Sequence, residues 1–166
     1  MWESWVRIPV GTLFRNTILI MLTEIKNNKQ LGEIGERITI GELSKYGVDI
    51  MLPMSDNLPF DFVIYYNNKF YKVQVKTSNS RTKTGSIEFS LTSNNWLKGD
   101  KYEYTKDDCD FFLLCDLTNV YLLPMDVVRG RKVFTINDQP YTKKISSVNY
   151  AEDYILTESR LKEVLI

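Results

Sequence analysis

Two β-rich runs, Phe60–Tyr66 and Phe70–Thr77, flank Asn67-Asn68, and they constrain the centre of this chain more than any other feature. Asparagine tolerates the left-handed backbone that a two-residue hairpin turn needs, and the Tyr, Phe, Val and Ile around it favour extended chain. A two-residue turn pairs Tyr66 with Lys69, Tyr65 with Phe70, and so on back to Asp61 with Gln74. Opposed residues point to one face with Cβ atoms about 5 Å apart. Side chains alternate, so Lys72, Gln74 and Lys76 share one face and Tyr71, Val73 and Val75 the other. The hairpin thus gathers a carboxylate, an amide and a lysine at its open end; a longer turn would shift that register.

The other elements follow from periodicity. Leu31, Ile34 and Ile38 recur at helical spacing from Asn28 to Tyr46, Leu43 and Tyr46 extend the face, and Gly47 is placed to end the helix. Gly32, Gly35 and Gly41 interrupt it, each at a cost of about 1 kcal/mol relative to Ala. They either let the helix press closely on a sheet or have drifted there. A short strand is expected at Val48–Leu52, then a loop to Pro59, and beyond the hairpin a polar stretch, Ser78–Ser86. Strands follow at Ile87–Leu91, Asp110–Asp116, Val120–Leu123 and Lys132–Ile136, with Thr92–Asp108 as loop or short helix. Thr157 caps a last helix bearing Leu161, Val164 and Leu165 on one face. The order predicts an α/β chain with a central mixed β-sheet and flanking helices.

The first twenty residues stand apart. Trp5-Val6-Arg7-Ile8-Pro9 is what TGG-GTT-CGA-ATC-CC would encode, which resembles the T-arm of a bacterial tRNA gene. One reading is an extension, residues 1–20, ahead of a true start at Met21, with residues 21–166 as a single domain near a mobile element. The other is an ordinary N-terminal strand. The apolar stretch Thr17–Leu22 is too short to span a bilayer, so no membrane role and a cytoplasmic protein are expected.

Absent residue types exclude whole classes of chemistry. With no histidine, Ser-His-Asp hydrolases, HNH-type nucleases and His-ligated metal enzymes are out. Neither GxxxxGK[ST] nor GxGxxG occurs, which removes the usual sign of nucleotide-binding folds. Cys109 and Cys115, six apart in an apolar run, read as buried thiols. The formal net charge is zero, so any nucleic-acid footprint must be local. One local excess exists: from Phe62 to Ile87 there are Lys69, Lys72, Lys76, Arg81 and Lys83 and no acid.

The hairpin set suits phosphodiester hydrolysis, which needs a divalent cation near the phosphate and a water poised for in-line attack. Mg²⁺ accepts one or two carboxylates and keeps several waters, while a lysine can orient the attacking water and offset phosphate charge. At this point a resemblance emerges. Pro59-Phe60-Asp61 followed by Gln74-Val75-Lys76 resembles the PD-(D/E)XK nuclease signature in relaxed form, and Gly32-Glu33-Ile34-Gly35-Glu36 resembles the glutamate-bearing helix that precedes it. The similarity runs from about Gln30 to Lys76 and is greatest to the group I intron-encoded homing endonucleases of this fold. Junction resolvases and some restriction enzymes share the framework.

The resemblance implies a restriction-endonuclease-like core and Mg²⁺ (or Mn²⁺) as cofactor. Asp61 becomes the central metal ligand, Glu36 a second acidic contact, the Val75 carbonyl a third, and Lys76 the catalytic lysine. Gln74 stands where most members carry Asp or Glu, which removes one negative charge and weakens metal affinity or favours a single ion. The implied partner is double-stranded or branched DNA, met by a homodimer or homotetramer, with Lys72, Arg81, Lys83 and Lys98 as contacts and the polar loop 78–84 able to close on it. The plain alternatives are solvated lysines on a hairpin, a strand-end carboxylate at Asp61, and Glu36 on a helix surface with Glu33 as its rival. Trp96, Tyr102 and Tyr104 mix aromatic and basic character, but such residues more often anchor a core or a lid. Asp108, Asp110 and Asp116 read as turn and strand-end residues. In function, a junction resolvase, a restriction or defence nuclease, and an inactive DNA-binding protein on the same fold stand beside the homing enzyme.

Overall fold

The hairpin forms in the expected register. β2 (Phe62–Tyr66) pairs antiparallel with β3 (Lys69–Thr77) from Tyr66 opposite Lys69 to Phe62 opposite Val73. The ladder ends there: Asp61, expected opposite Gln74, donates its N–H to Val73 O at 2.8 Å, so two residues of one strand meet Val73 as in a bulge. Asn67 and Asn68 take φ of 49° and 60°, the left-handed pair that a two-residue turn with the right twist requires. The computed structural model describes residue 25 and residues 27–55, 57–94 and 101–165. The expectations for residues 1–20, Trp96 and Lys98 lie outside the described residues.

Around the hairpin stands a five-stranded mixed sheet in the order β1-β2-β3-β7-β8, with β1 at Asp49–Met51, β7 at Phe111–Cys115 and β8 at Val120–Pro124. The pairing β3–β7 is parallel and the others are antiparallel. β7 is buried on both faces, which explains its unbroken apolar run. Phe111, Leu113 and Cys115 pack with Val73, Val75 and Leu43, while Phe112 and Leu114 pack with Phe89, Tyr121 and Phe134 on the other side. Each such fully buried side chain contributes on the order of 1.5–3 kcal/mol.

The first core is closed by two helices, α1 (Asn28–Ser44) and, in chain order after a four-residue turn of helix α2 (Met125–Val128), α3 (Glu158–Leu165). α1 ends two residues before Tyr46, and Gly47 turns the chain at φ 67°. Its deepest line is Gly35, Thr39 and Leu43 rather than the Ile34–Ile38 stripe the periodicity favoured. Small residues win that line because they let the helix axis approach the sheet. Thr157 caps α3 as expected, accepting the Arg160 N–H at 3.1 Å.

The second core is covered by a ribbon of β4 (Ile87–Ser90) with β9 (Val133–Ile136). The span expected as loop or short helix, Thr92–Asp108, instead contributes a second ribbon, β5 (Thr92–Asn94) with β6 (Lys101–Glu103). Three-residue strands carry too little alternation to be read from sequence. Cys109 and Cys115 are buried free thiols, and burial pushes them up to about 12 and about 11.

One contact sets how α1 sits. A Cβ at Gly35 would lie 1.8 Å from Thr77 Oγ1, whereas at Gly41 nothing among the described residues lies within 4 Å. Helix propensity favours Ala at both sites by about 1 kcal/mol, but overpacking costs about 1–3 kcal/mol or more and dominates at Gly35. In urea unfolding, Gly41→Ala is expected to raise stability by about 0.5–1 kcal/mol and Gly35→Ala to lower it by at least about 1 kcal/mol.

Candidate active site

β2 begins at Phe62, so β3 runs past the start of its neighbour, and Val75 has no backbone partner on that side. Asp61 fills the gap. Its Oδ2 accepts the Val75 N–H at 2.6 Å and the Gln74 amide Nε2 at 2.6 Å. Nε2 also donates to the Val75 carbonyl at 3.2 Å. Gln74 is buried, at 6% exposure, yet its amide is satisfied twice, which removes the penalty of an unpaired buried donor. Two residues on, Lys76 Nζ donates to Tyr104 Oη at 3.0 Å.

These groups line a cavity of about 1120 Å³ at the place where α1, on one face of the sheet, meets the two ribbons on the other. α1 supplies Asn28, Leu31, Gly32 and Glu36; the hairpin supplies Asp61 and the run Gln74 to Ser80. The ribbons supply Glu88, Ser90, Thr92, Ser93, Tyr102 and Tyr104. Glu36, Asp61, Gln74, Val75 and Lys76 are therefore brought together, and Gly35 against Thr77 is the contact that brings the helix carrying Glu36 to them.

The proposed DNA contacts are placed differently. Lys72 turns away from the cavity, donating Nζ to the Asp107 carbonyl while its backbone N–H meets Asp110 Oδ2 at 2.6 Å. Arg81 holds Asp138 through two bonds of 2.7 Å and the Gly85 carbonyl at 2.6 Å. Lys83 is exposed at the turn that follows. Asp108, Asp110 and Asp116 serve local structure: Asp108 accepts from Thr105 and Tyr102, and Asp116 accepts from Thr118, Asn119 and Tyr121.

Sequence reading missed Glu88 and Ser90, although the alternation Ile87-Glu88-Phe89-Ser90 was there to set them on one face. It also left Tyr104 as packing. No local pattern links residue 104 to residue 76; that contact exists because the residue after β6 comes to lie beside Lys76 of β3.

Burial pushes the Asp61 carboxyl above the ordinary carboxylate range, against the Val75 N–H, the Lys76 charge and the Gln74 amide, which pull it down. A carboxylate left short of full compensation is one that gains from a cation. Among the described residues no three Asp, Glu or Cys side chains gather as a ready-made metal site. The donor set fits a hard divalent ion nonetheless: two carboxylates, Asp61 and Glu36, and the Val75 carbonyl, with water completing the shell. The Gln74 amide N–H₂ sits between Asp61 Oδ2 and Val75 O, where it answers two oxygens as a cation would. A half-turn of that amide exchanges Nε2 for Oε1 and offers a further oxygen ligand.

The sequence model of a family described as PD-(D/E)XK endonuclease matches residues 26–157. A solved structure of a bacterial homing endonuclease, I-Ssp6803I, is similar with a TM-score of 0.67 and 22% identity, over 84% of this chain and 94% of that one. A second, MepB, is 11% identical over 78% of this chain and 92% of that one, and its TM-score of 0.35 is too low to bear on the fold. No curated protein matches.

The raised carboxyl has a stability consequence. With its folded pKa above the ordinary 3.8, Asp61 binds its proton more tightly in the native state than in the unfolded chain. Stability from that proton is therefore present at low pH and is lost as pH rises through the folded value. Asp61→Asn keeps the shape without the charge. In EDTA at pH 7 it should melt higher than wild type, on the order of a few degrees, with the gap closing toward pH 4. Adding Mg²⁺ should raise the melting temperature of the wild type and not of the variant.

Proposed function

The chain belongs to the PD-(D/E)XK endonuclease family, and on that premise we propose that it is a Mg²⁺-dependent (or Mn²⁺-dependent) endonuclease that hydrolyses phosphodiester bonds of DNA. The observation that carries the reading is the convergence of Asp61, the Val75 carbonyl, Glu36 and Lys76 on one cavity beside the end of β2. Asp61 and Val75 would hold the ion, Glu36 would assist directly or through water, and Gln74 would orient Asp61. The chemistry an ion held there would supply is polarisation of the scissile phosphate and a bound water of lowered pKa. Lys76 places a positive charge beside the phosphate oxygens and offers N–H donors that fix the nucleophilic water in line. A cavity of about 1120 Å³ lined by polar side chains has room for a stretch of nucleic-acid backbone.

Within the family we read it as a homing-type enzyme acting on double-stranded DNA in the cytoplasm. Cutting both strands needs two such sites, which calls for a homodimer or homotetramer. Preference for four-way junctions over linear duplex would move it to the resolvases, and linkage to a cognate methylase to the restriction enzymes. Gln74 in place of a carboxylate supports one reading of another class, a DNA-binding protein whose chemistry has lapsed.

Supercoiled plasmid incubated with Mg²⁺ tests the reading. The wild type is expected to nick or linearise it, with Asp61→Ala and Lys76→Ala slower by about 10²–10⁴-fold. Equal cutting by the variants would place the active site elsewhere. Tight DNA binding with no cleavage in Mg²⁺ or Mn²⁺ would favour the inactive protein.

A further inference from the structure

Lys76 has the longest and most rotatable side chain of the catalytic candidates on this hairpin, so something must choose among its positions. An unrestrained lysine carries roughly 2 kcal/mol of rotamer entropy. The hydroxyl of Tyr104, 3.0 Å from Nζ, is the partner that chooses, and both side chains line the cavity. The ammonium also lies 4.7 Å from the centre of the Tyr104 ring.

Tyr104 is itself held by other rings. It meets Phe112 edge-on, centroids 5.4 Å apart at 89°, and Tyr102 edge-on at 5.5 Å and 83°. Phe112 is 1% exposed and lies on β7 opposite Gln74, so this ring is built into the same sheet as the site. Tyr102 is anchored in turn: its hydroxyl donates to Asp108 Oδ1 at 2.7 Å, and Asp108 Oδ2 accepts from the Thr105 N–H at 2.7 Å and hydroxyl at 2.8 Å. The bond to Asp108 pushes the Tyr102 hydroxyl up to about 12. Burial raises the Asp108 carboxyl, but its hydrogen bonds outweigh that and hold it below the ordinary range. The charge and the proton of that anchor are thus settled at neutral pH.

We propose that Tyr104 is a positioning residue of the active site, fixing Lys76 through its hydroxyl while Asp108, Tyr102 and Phe112 fix the ring. This inference rests on the reading of Lys76 as the residue that orients the attacking water. An ammonium has three donors. One goes to Tyr104, and the other two are left at set angles for the water and a phosphate oxygen. Two aromatic edge contacts of about 0.5–1.5 kcal/mol each are enough to keep the ring in place.

Tyr104→Phe isolates the hydroxyl, because the ring and its edge contacts remain. Two measurements on the full chain decide. The first is competitive acetylation of the metal-free, DNA-free protein, read lysine by lysine by mass spectrometry. Lys76 is expected to react several-fold faster in Tyr104→Phe, with the other lysines unchanged; equal reactivity at Lys76 overturns the proposal. The second is single-turnover plasmid cleavage in Mg²⁺ beside DNA affinity in Ca²⁺. The variant is expected to cut about 10-fold more slowly with its DNA affinity changed less than about 2-fold. An unchanged rate, or an affinity that falls as far as the rate, overturns positioning in favour of packing or plain DNA contact. A wild type that never cuts would defeat the nuclease reading instead, and the acetylation result would still stand on its own.

Discussion

Strand β3 has to satisfy opposite demands on its two faces. Val73 and Val75 are sealed against Leu43 and the rest of the first core, while Gln74 and Lys76 open toward the cavity. β2 holds the first half of the strand and β7 the second, the two meeting at Val73, and strict alternation keeps the two sets of side chains apart. The close approach of α1 depends on the same strand: Gly35 lies against Thr77, so the helix bearing Glu36 is registered on β3 by direct contact. A site built this way inherits its precision from the sheet.

The offset between β2 and β3 is what turns a sheet edge into chemistry. Had β2 continued two residue pairs further in register, the Val75 N–H and carbonyl would be spent on ladder hydrogen bonds to Phe60. Because it stops at Phe62, the Asp61 side chain takes the N–H and leaves the carbonyl facing the Gln74 amide. The cost is a largely buried carboxylate whose pKa is pushed up by desolvation. The β-sheet cores on either side supply the stability that lets such a group persist.

Glutamine at position 74 alters the balance without breaking the geometry. A second carboxylate here would repel Asp61 until a cation came. The amide instead donates to Asp61, which offsets part, but not all, of the cost of burying that carboxylate. Among the described residues the cavity wall is mostly neutral, with Asp61, Glu36 and Glu88 as the acids and Lys76 as the cation. The basic excess counted between residues 62 and 87 does not gather there, since Arg81 is turned to Asp138 and Lys72 to the Asp107 carbonyl. A count of charges along a segment says nothing of which acids lie opposite in space.

The sequence alone determined whatever depended on neighbours along the chain. Asn67-Asn68 dictated the turn, the turn dictated the register as far as Phe62, and period-two alternation put Gln74 and Lys76 on one face; Asp61 joined them through its side chain, out of register. Gly47 and Thr157 marked helix ends through local backbone chemistry. Tertiary structure decided what depended on separated segments meeting. The deep line of α1 ran through Gly35 and Thr39 because distance to β3, rather than hydrophobicity, set it. The ribbon β5–β6 formed from strands too short to show a period, and it carried Tyr104 to Lys76 across 28 residues. Arg81 found Asp138 across 57. Local rules fix dihedral angles and faces; pairings over such separations are selected by the packing of the whole sheet, and no single segment encodes them.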